Sequence, residues 1–171
     1  MKLRFGFPAL GAAILSLAML VFAPRAAAEP FNPGSYWSFK AAALNITGGN
    51  QEAVQLGLGF GFQFPKGFAF EAESHRTFYD GAANGVEYTF DSIAAFVAYR
   101  TPSKVFWKVK MGYGASEINF EGPTNNLDGE GQQFGMGFGT KRFELEWTRI
   151  NVQFTNIDML SFTFRFGDGT K

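Results

Sequence analysis

Val54-Gln55-Leu56-Gly57-Leu58-Gly59-Phe60-Gly61-Phe62-Gln63-Phe64 sets bulky apolar residues at even positions against glutamine and glycine at odd ones. Strict two-residue alternation marks a strand with two unlike faces, because successive side chains point to opposite sides. One face is large and apolar. The other carries almost no side chain. A strand with one face in water normally covers it with longer polar groups, since glycine weakens a strand and shields nothing. Three alternating glycines fit a face that lines a narrow barrel lumen, where bulk is limited. The apolar face then points outward, and on a barrel an outward apolar band implies lipid.

The rest of the chain repeats this pattern. Ser35–Leu44 places Trp37, Phe39, Ala41 and Ala43 opposite Ser38, Lys40 and Ala42. After a turn at Asn45–Asn50 and the opening strand, Pro65-Lys66-Gly67 leads into Phe68, Phe70 and Ala72, opposite Glu71, Glu73 and His75. Asp80–Gly85 reads as a loop. Val86–Arg100 begins with Val86, Tyr88 and Phe90 outward and Glu87, Thr89 and Asp91 inward. It then turns apolar on both faces from Ile93 to Tyr99, which a bulge would explain. Thr101–Lys104 turns into Val105, Trp107, Val109, Met111 and Tyr113, opposite Lys108, Lys110, Gly112 and Gly114. Glu121–Gly131 is the longest expected loop. Phe134, Met136 and Phe138 then oppose Gln133, Gly135, Gly137 and Gly139. Lys141-Arg142 turns into Phe143, Leu145 and Trp147 opposite Glu144 and Glu146. A phase change near Arg149 aligns Ile150, Val152 and Phe154 with the outer face. Thr155–Asp158 turns into Leu160, Phe162, Phe164 and Phe166 opposite Ser161, Thr163 and Arg165. The expected fold is therefore all-β: an eight-stranded antiparallel up-and-down transmembrane barrel.

Residues 1–28 read as a cleaved secretory signal peptide, and residues 29–171 as the barrel domain. Lys2 and Arg4 precede the apolar run Phe5–Phe22, and Ala26-Ala27-Ala28 offers a small-residue cleavage site before Glu29. Cleavage removes Lys2, Arg4 and Arg25, leaving acids in slight excess over bases, so no nucleic-acid partner is indicated. The chain has no cysteine, which excludes disulfides and thiolate metal sites. Beyond the leader no apolar run approaches the ~18 residues of a membrane helix. A spanning chain must then close as a barrel, because each backbone donor needs a partner in lipid.

With its Ala26–Ala28 site, eight alternating segments and aromatic last strand Leu160–Phe166, the chain resembles the OmpA/OmpX type of small outer-membrane barrel across its mature length. The resemblance implies residence in the cell outer membrane, contact with outer-membrane lipid and lipopolysaccharide, escort by periplasmic chaperones, insertion by the barrel-assembly machinery, and a monomer. Such chains usually end on the final aromatic, whereas Gly167–Lys171 follow Phe166 here. The pattern specifies architecture better than function, because function resides in sites carried on a fold.

The inward phase gathers Lys40, Glu71, Glu73, His75, Glu87, Asp91, Lys108, Lys110, Glu144, Glu146 and Arg165. Turn positions bring most of them to one depth. A charge network of Lys40, Glu71, Glu73, Lys108, Lys110, Glu144, Glu146 and Arg165 is expected to fill the lumen, because buried charges must pair. The sharper alternative for the same residues is a narrow ion-conducting pore. A lipid A-modifying acyl hydrolase or transferase would need a serine and its base on one face, whereas alternation puts Ser74 and His75 on opposite faces. One histidine among scattered carboxylates makes a weak case for a metal, and no metal site is expected. A soluble lipocalin-like barrel would expose Gly57, Gly59 and Gly61 to water. The expected role is non-catalytic and structural or surface-interacting, with no cofactor.

Overall fold

The computed structural model describes residues 31–46, 49–122, 126–152 and 155–170. The expected leader, residues 1–28, lies outside them. Among the described residues eight long strands carry the fold: β1 Gly34–Ile46, β3 Ala53–Gln63, β4 Phe68–Tyr79, β6 Val86–Arg100, β7 Phe106–Phe120, β8 Leu127–Gly139, β9 Phe143–Val152 and β10 Thr155–Gly167. Each pairs antiparallel with its neighbours in the order β1-β3-β4-β6-β7-β8-β9-β10. The β1–β10 ladder, Tyr36↔Gly167 through Ile46↔Ile157, closes the ring. The result is an up-and-down barrel without an open edge. Two short strands, β2 (Gly49–Gln51) and β5 (Gly81–Ala83), pair with each other and extend the wall beside β6.

The strand ends define two ends of the barrel. At the base lie the start of β1, the end of β10 and the short connections at 64–67, 101–105 and 140–142. Gly67 adopts φ +95°, which an L side chain rarely takes, and its N–H bonds back to the Phe64 carbonyl at 3.2 Å. At the loop end, Asn84 (φ 52°) and Gly85 (φ 80°) form the two-residue turn between β5 and β6, the dipeptide that suits a twisted hairpin.

Alternation holds along the wall. Outside, Leu58 and Met111 are 64 % and 68 % exposed, and Trp37, Phe60, Phe70, Trp107, Phe138 and Phe162 continue the apolar band. Inside, the lining changes character with height. Charged side chains fill the half nearer the base. An apolar cluster of Leu44, Ile46, Tyr88, Phe90, Ile118, Ile150, Ile157 and Met159 fills the loop end.

That change corrects two expectations of phase. β6 has no bulge: its register with β7 runs unbroken from Tyr88↔Phe120 to Arg100↔Lys108. Tyr88 and Phe90 face inward and are 1 % and 0 % exposed, while Glu87 is exposed and Asp91 lies on the outer face, so neither belongs to the lumen. The inward Ala94 and Phe96 fit because Gly114 and Gly112 oppose them on β7. Likewise β9 changes no phase at Arg149. Ile150 is buried beside Thr148, Glu146 and Glu144, and pairs with Ile157. Phe154 lies outside the described residues. In both strands an apolar inner face was read as an outer one.

The wall does carry an irregularity, on β4. Val54 pairs with Tyr79 and Gln55 with Thr77, which leaves Phe78 as the extra residue. Several strands also run further than alternation alone indicated. β1 continues through Ile46, β8 begins at Leu127 inside the expected long loop, and β10 begins at Thr155 where a turn was expected. The expected loop Asp80–Gly85 contains β5.

Candidate functional site

The glycine stripes make room for what crosses the lumen. A Cβ at Gly57 would lie 2.7 Å from Nδ1 of His75, and one at Gly135 would lie 2.8 Å from Cε of Lys110. At Gly59 and Gly61 it would collide with Ser38 Oγ and the Tyr36 ring. Glycine on β3 and β8 thus lets long side chains from β1, β4 and β7 lie flat against the wall.

Two pairs of acids project from opposite sides of the ring, Glu71 and Glu73 from β4, and Glu144 and Glu146 from β9. Lysines span the gap between them. Lys40 Nζ is 2.6 Å from Glu73 and 3.2 Å from Glu146. Lys110 Nζ is 2.7 Å from Glu73 and 2.8 Å from Glu146. Lys108 Nζ reaches Glu71, Glu144 and Glu146 at 2.9, 3.0 and 2.7 Å. Arg165 Nε lies 2.6 Å from Glu144. The structure thus gathers Lys40, Glu71, Glu73, Lys108, Lys110, Glu144, Glu146 and Arg165 into one lumen cluster, all of them buried. Each carboxylate meets more than one base, which offsets the desolvation that isolated buried charges would suffer.

Two members escaped the sequence reading. Arg100, 0 % exposed, bonds to Glu71 and Gln63 and lies 2.9 Å from Glu144. Its parity with Phe96 and Ala98 was the available signal, hidden by the inverted phase assigned to β6. Tyr36, at the edge of β1, donates its hydroxyl to Glu71. His75 Nε2 stands 3.4 Å from Glu73, at the upper edge of the cluster.

Among the described residues, side chains pack on both sides of this network. Above it sits the apolar cluster already described. Below it, the rings of Phe31 and Phe106 meet edge to face at 5.8 Å, and both are buried. The guanidinium groups of Arg100 and Arg165 lie over Tyr36 and Phe106 at 5.1 to 5.6 Å. A short 3-10 turn, Asp168–Thr170, tucks Gly169 and Thr170 against the start of β1. Inside the network a cavity of ≈ 10 Å³ remains beside Ser38, Lys40, Thr163 and Arg165.

As chemistry, the arrangement neutralises charge and fills space. Ser74 is exposed and His75 buried, so they cannot exchange a proton across the wall. Among the described residues no group of His, Cys, Asp and Glu has the geometry to hold a metal. The two rims differ in sign. Lys66, Lys104, Lys141 and Arg142 occupy the basal turns. The loop end carries Glu52, Asp80, Glu87, Asp91, Glu117, Glu121, Asp128, Glu130 and Asp158 against Arg76 and Arg149. Arg149 and Asp158 pair there through two hydrogen bonds of 2.9 and 2.8 Å.

No protein-family model and no curated protein matches the chain. Solved structures do match its fold. The Neisserial surface protein A is 15 % identical at a TM-score of 0.56, with 78 % of this chain and 96 % of that one covered. Ail, the attachment invasion locus protein of Yersinia pestis, crystallised with the heparin analogue sucrose octasulfate, is 11 % identical at a TM-score of 0.53, covering 81 % and 99 %. The N-terminal β-barrel domain of Pseudomonas aeruginosa OprF is 15 % identical at 0.52, covering 81 % and 100 %. The fold of this chain is that of the small eight-stranded outer-membrane barrels.

Proposed function

We propose that the chain is an outer-membrane β-barrel protein with a structural or surface-interaction role and no catalytic activity. The observation that carries this reading is the filled lumen: an apolar cluster above, a paired charge network in the middle and the Phe31–Phe106 contact below. A lumen packed in this way leaves the outer wall and the loop end as the working surfaces. The continuous outward apolar band and the outer-membrane fold neighbours support placement in that membrane. In this reading residues 1–28 direct export, periplasmic chaperones and the barrel-assembly machinery insert the chain, lipid and lipopolysaccharide surround a monomeric wall, and the basal turns face the periplasm.

The loop end also bears on the partner. Its acid excess disfavours a polyanion such as the sulfated sugar bound by Ail, because like charges repel at short range. Expression of the protein should not raise the binding of labelled heparin to intact cells, which present the loop end alone.

Expression of the full chain in a Gram-negative host tests the reading. The protein should sediment with the outer membrane, and protease added to intact cells should reach the loop end. Lipid A should keep its mass. Protein recovered in buffer without detergent, or a lipid A mass change that His75→Ala abolishes, would contradict it.

A further inference from the structure

The lumen network does not balance. Among the described residues its carboxylates are Glu71, Glu73, Glu144 and Glu146, and its cations are Lys40, Arg100, Lys108, Lys110 and Arg165. One cation is in excess with His75 neutral, and two if it is charged. The excess has a location. Lys40, Arg100, Lys108 and Lys110 each contact at least two of the acids, whereas Arg165 contacts Glu144 alone, and Glu144 is already shared with Arg100 and Lys108. Arg165 Nη1 is buried without a hydrogen-bond partner. An arginine keeps its proton, so it cannot relieve the imbalance by neutralising itself.

A second unpartnered group lies beside it. Thr163, 1 % exposed and two residues from Arg165 on the same inner face, has a hydroxyl with no hydrogen-bond partner. Across the β1–β10 ladder the residues opposite Arg165 and Thr163 are Ser38 and Lys40. All four line a cavity of ≈ 10 Å³, about the room of one water-sized occupant. Three carboxylates also line it, and bases hold each of them: Glu73 with Lys40 and Lys110, Glu71 with Arg100 and Lys108, and Glu144 with Arg100, Lys108 and Arg165.

We propose that this cavity is a site for one small monovalent anion, a halide, held by the Thr163 hydroxyl and Nη1 of Arg165, whose Nε and Nη2 are already engaged by Glu144 and the Thr140 carbonyl. The ion completes the charge balance of the lumen and is enclosed there during folding. It is a structural ligand, not a conducted one, because the apolar cluster and the Phe31–Phe106 contact pack on both sides of the network.

The test uses the barrel refolded in detergent micelles. Unfolding in urea is followed while sodium bromide replaces sodium gluconate at constant ionic strength, gluconate being too large for the cavity. One bound ion released on unfolding requires a linkage slope of one. Above the dissociation constant, each tenfold rise in bromide should lower the unfolded-to-folded ratio about tenfold. Thr163→Asp supplies the missing carboxylate in place and should abolish the slope. If that variant does not fold, Thr163→Val removes only the hydroxyl and should shift the bromide dependence to higher concentration. Crystals grown in bromide should show an anomalous peak between Thr163 and Arg165. Halide-independent unfolding, equal destabilisation of Thr163→Val in both salts, or a cavity holding only water would overturn the proposal.

Discussion

Lys108 is the residue on which the network turns, since it alone among the lysines touches acids of both opposing strands at three points, Glu71, Glu144 and Glu146. Lys108→Ala should lower the unfolding free energy by about 3–5 kcal/mol, because it breaks three buried ion pairs at once and leaves a cavity among carboxylates that each keep another base. Adding Glu144→Ala should recover part of that loss, a coupling that a double-mutant cycle in urea measures directly. Simple additivity would mean that water already solvates these groups. The glycines act at the same scale. Gly61→Ala puts a methyl group against the Tyr36 ring and should destabilise by about 1–3 kcal/mol, as overpacking does. Tyr36→Leu in the same chain should restore some of it. If Gly61→Ala proves neutral, the stripe does not serve to seat Tyr36. The side on which Lys108 or Glu146 sits was legible, because each lies between bulky apolar residues in strict alternation, Trp107 and Val109 for the one and Leu145 and Trp147 for the other. Arg100 was not: it ends β6, where Ala94, Phe96 and Ala98 share its face and made that face read as the outer one.

At the scale of the strands, alternation locates the wall wherever the inner face is polar or glycine. It misleads where the inner face becomes apolar. Phe90 on β6 and Ile150 on β9 sit in the loop-end cluster, and the rule that apolar means outward then inverts the phase. Loop lengths were misjudged for a related reason. Gly129 and Gly131 look like loop residues, yet they pair with Ser116 and Gly114 on β7. The phase of β6 can be tested cleanly, because the native chain has no cysteine. Ile93→Cys should react with a lipid-soluble maleimide in the folded barrel and Ala94→Cys should not, since their side chains point to opposite faces. The reverse pattern would restore the bulge. Among outward positions, Phe60→Arg near the middle of the apolar band should cost roughly 2–4 kcal/mol. Arg at Asn45, beyond that band, should cost much less. Unfolding of the two variants in lipid vesicles compares them.

The described residues form a barrel whose outside is a band of apolar side chains and whose inside is packed. Closure removes sheet edges, so the backbone is satisfied without help from water. The same closure forces long polar side chains into a narrow interior, where they pair with one another. Whether the lumen is sealed is what separates the proposed surface-interaction role from a pore, and planar-bilayer recording of the refolded full chain reads it directly. Inserted protein, verified by protease protection of the barrel in the same membranes, should give no steady conductance at either polarity. A steady, ion-selective current that changes with Lys108→Ala would mean that ions pass through the charge network, and that the lumen is a conducting path.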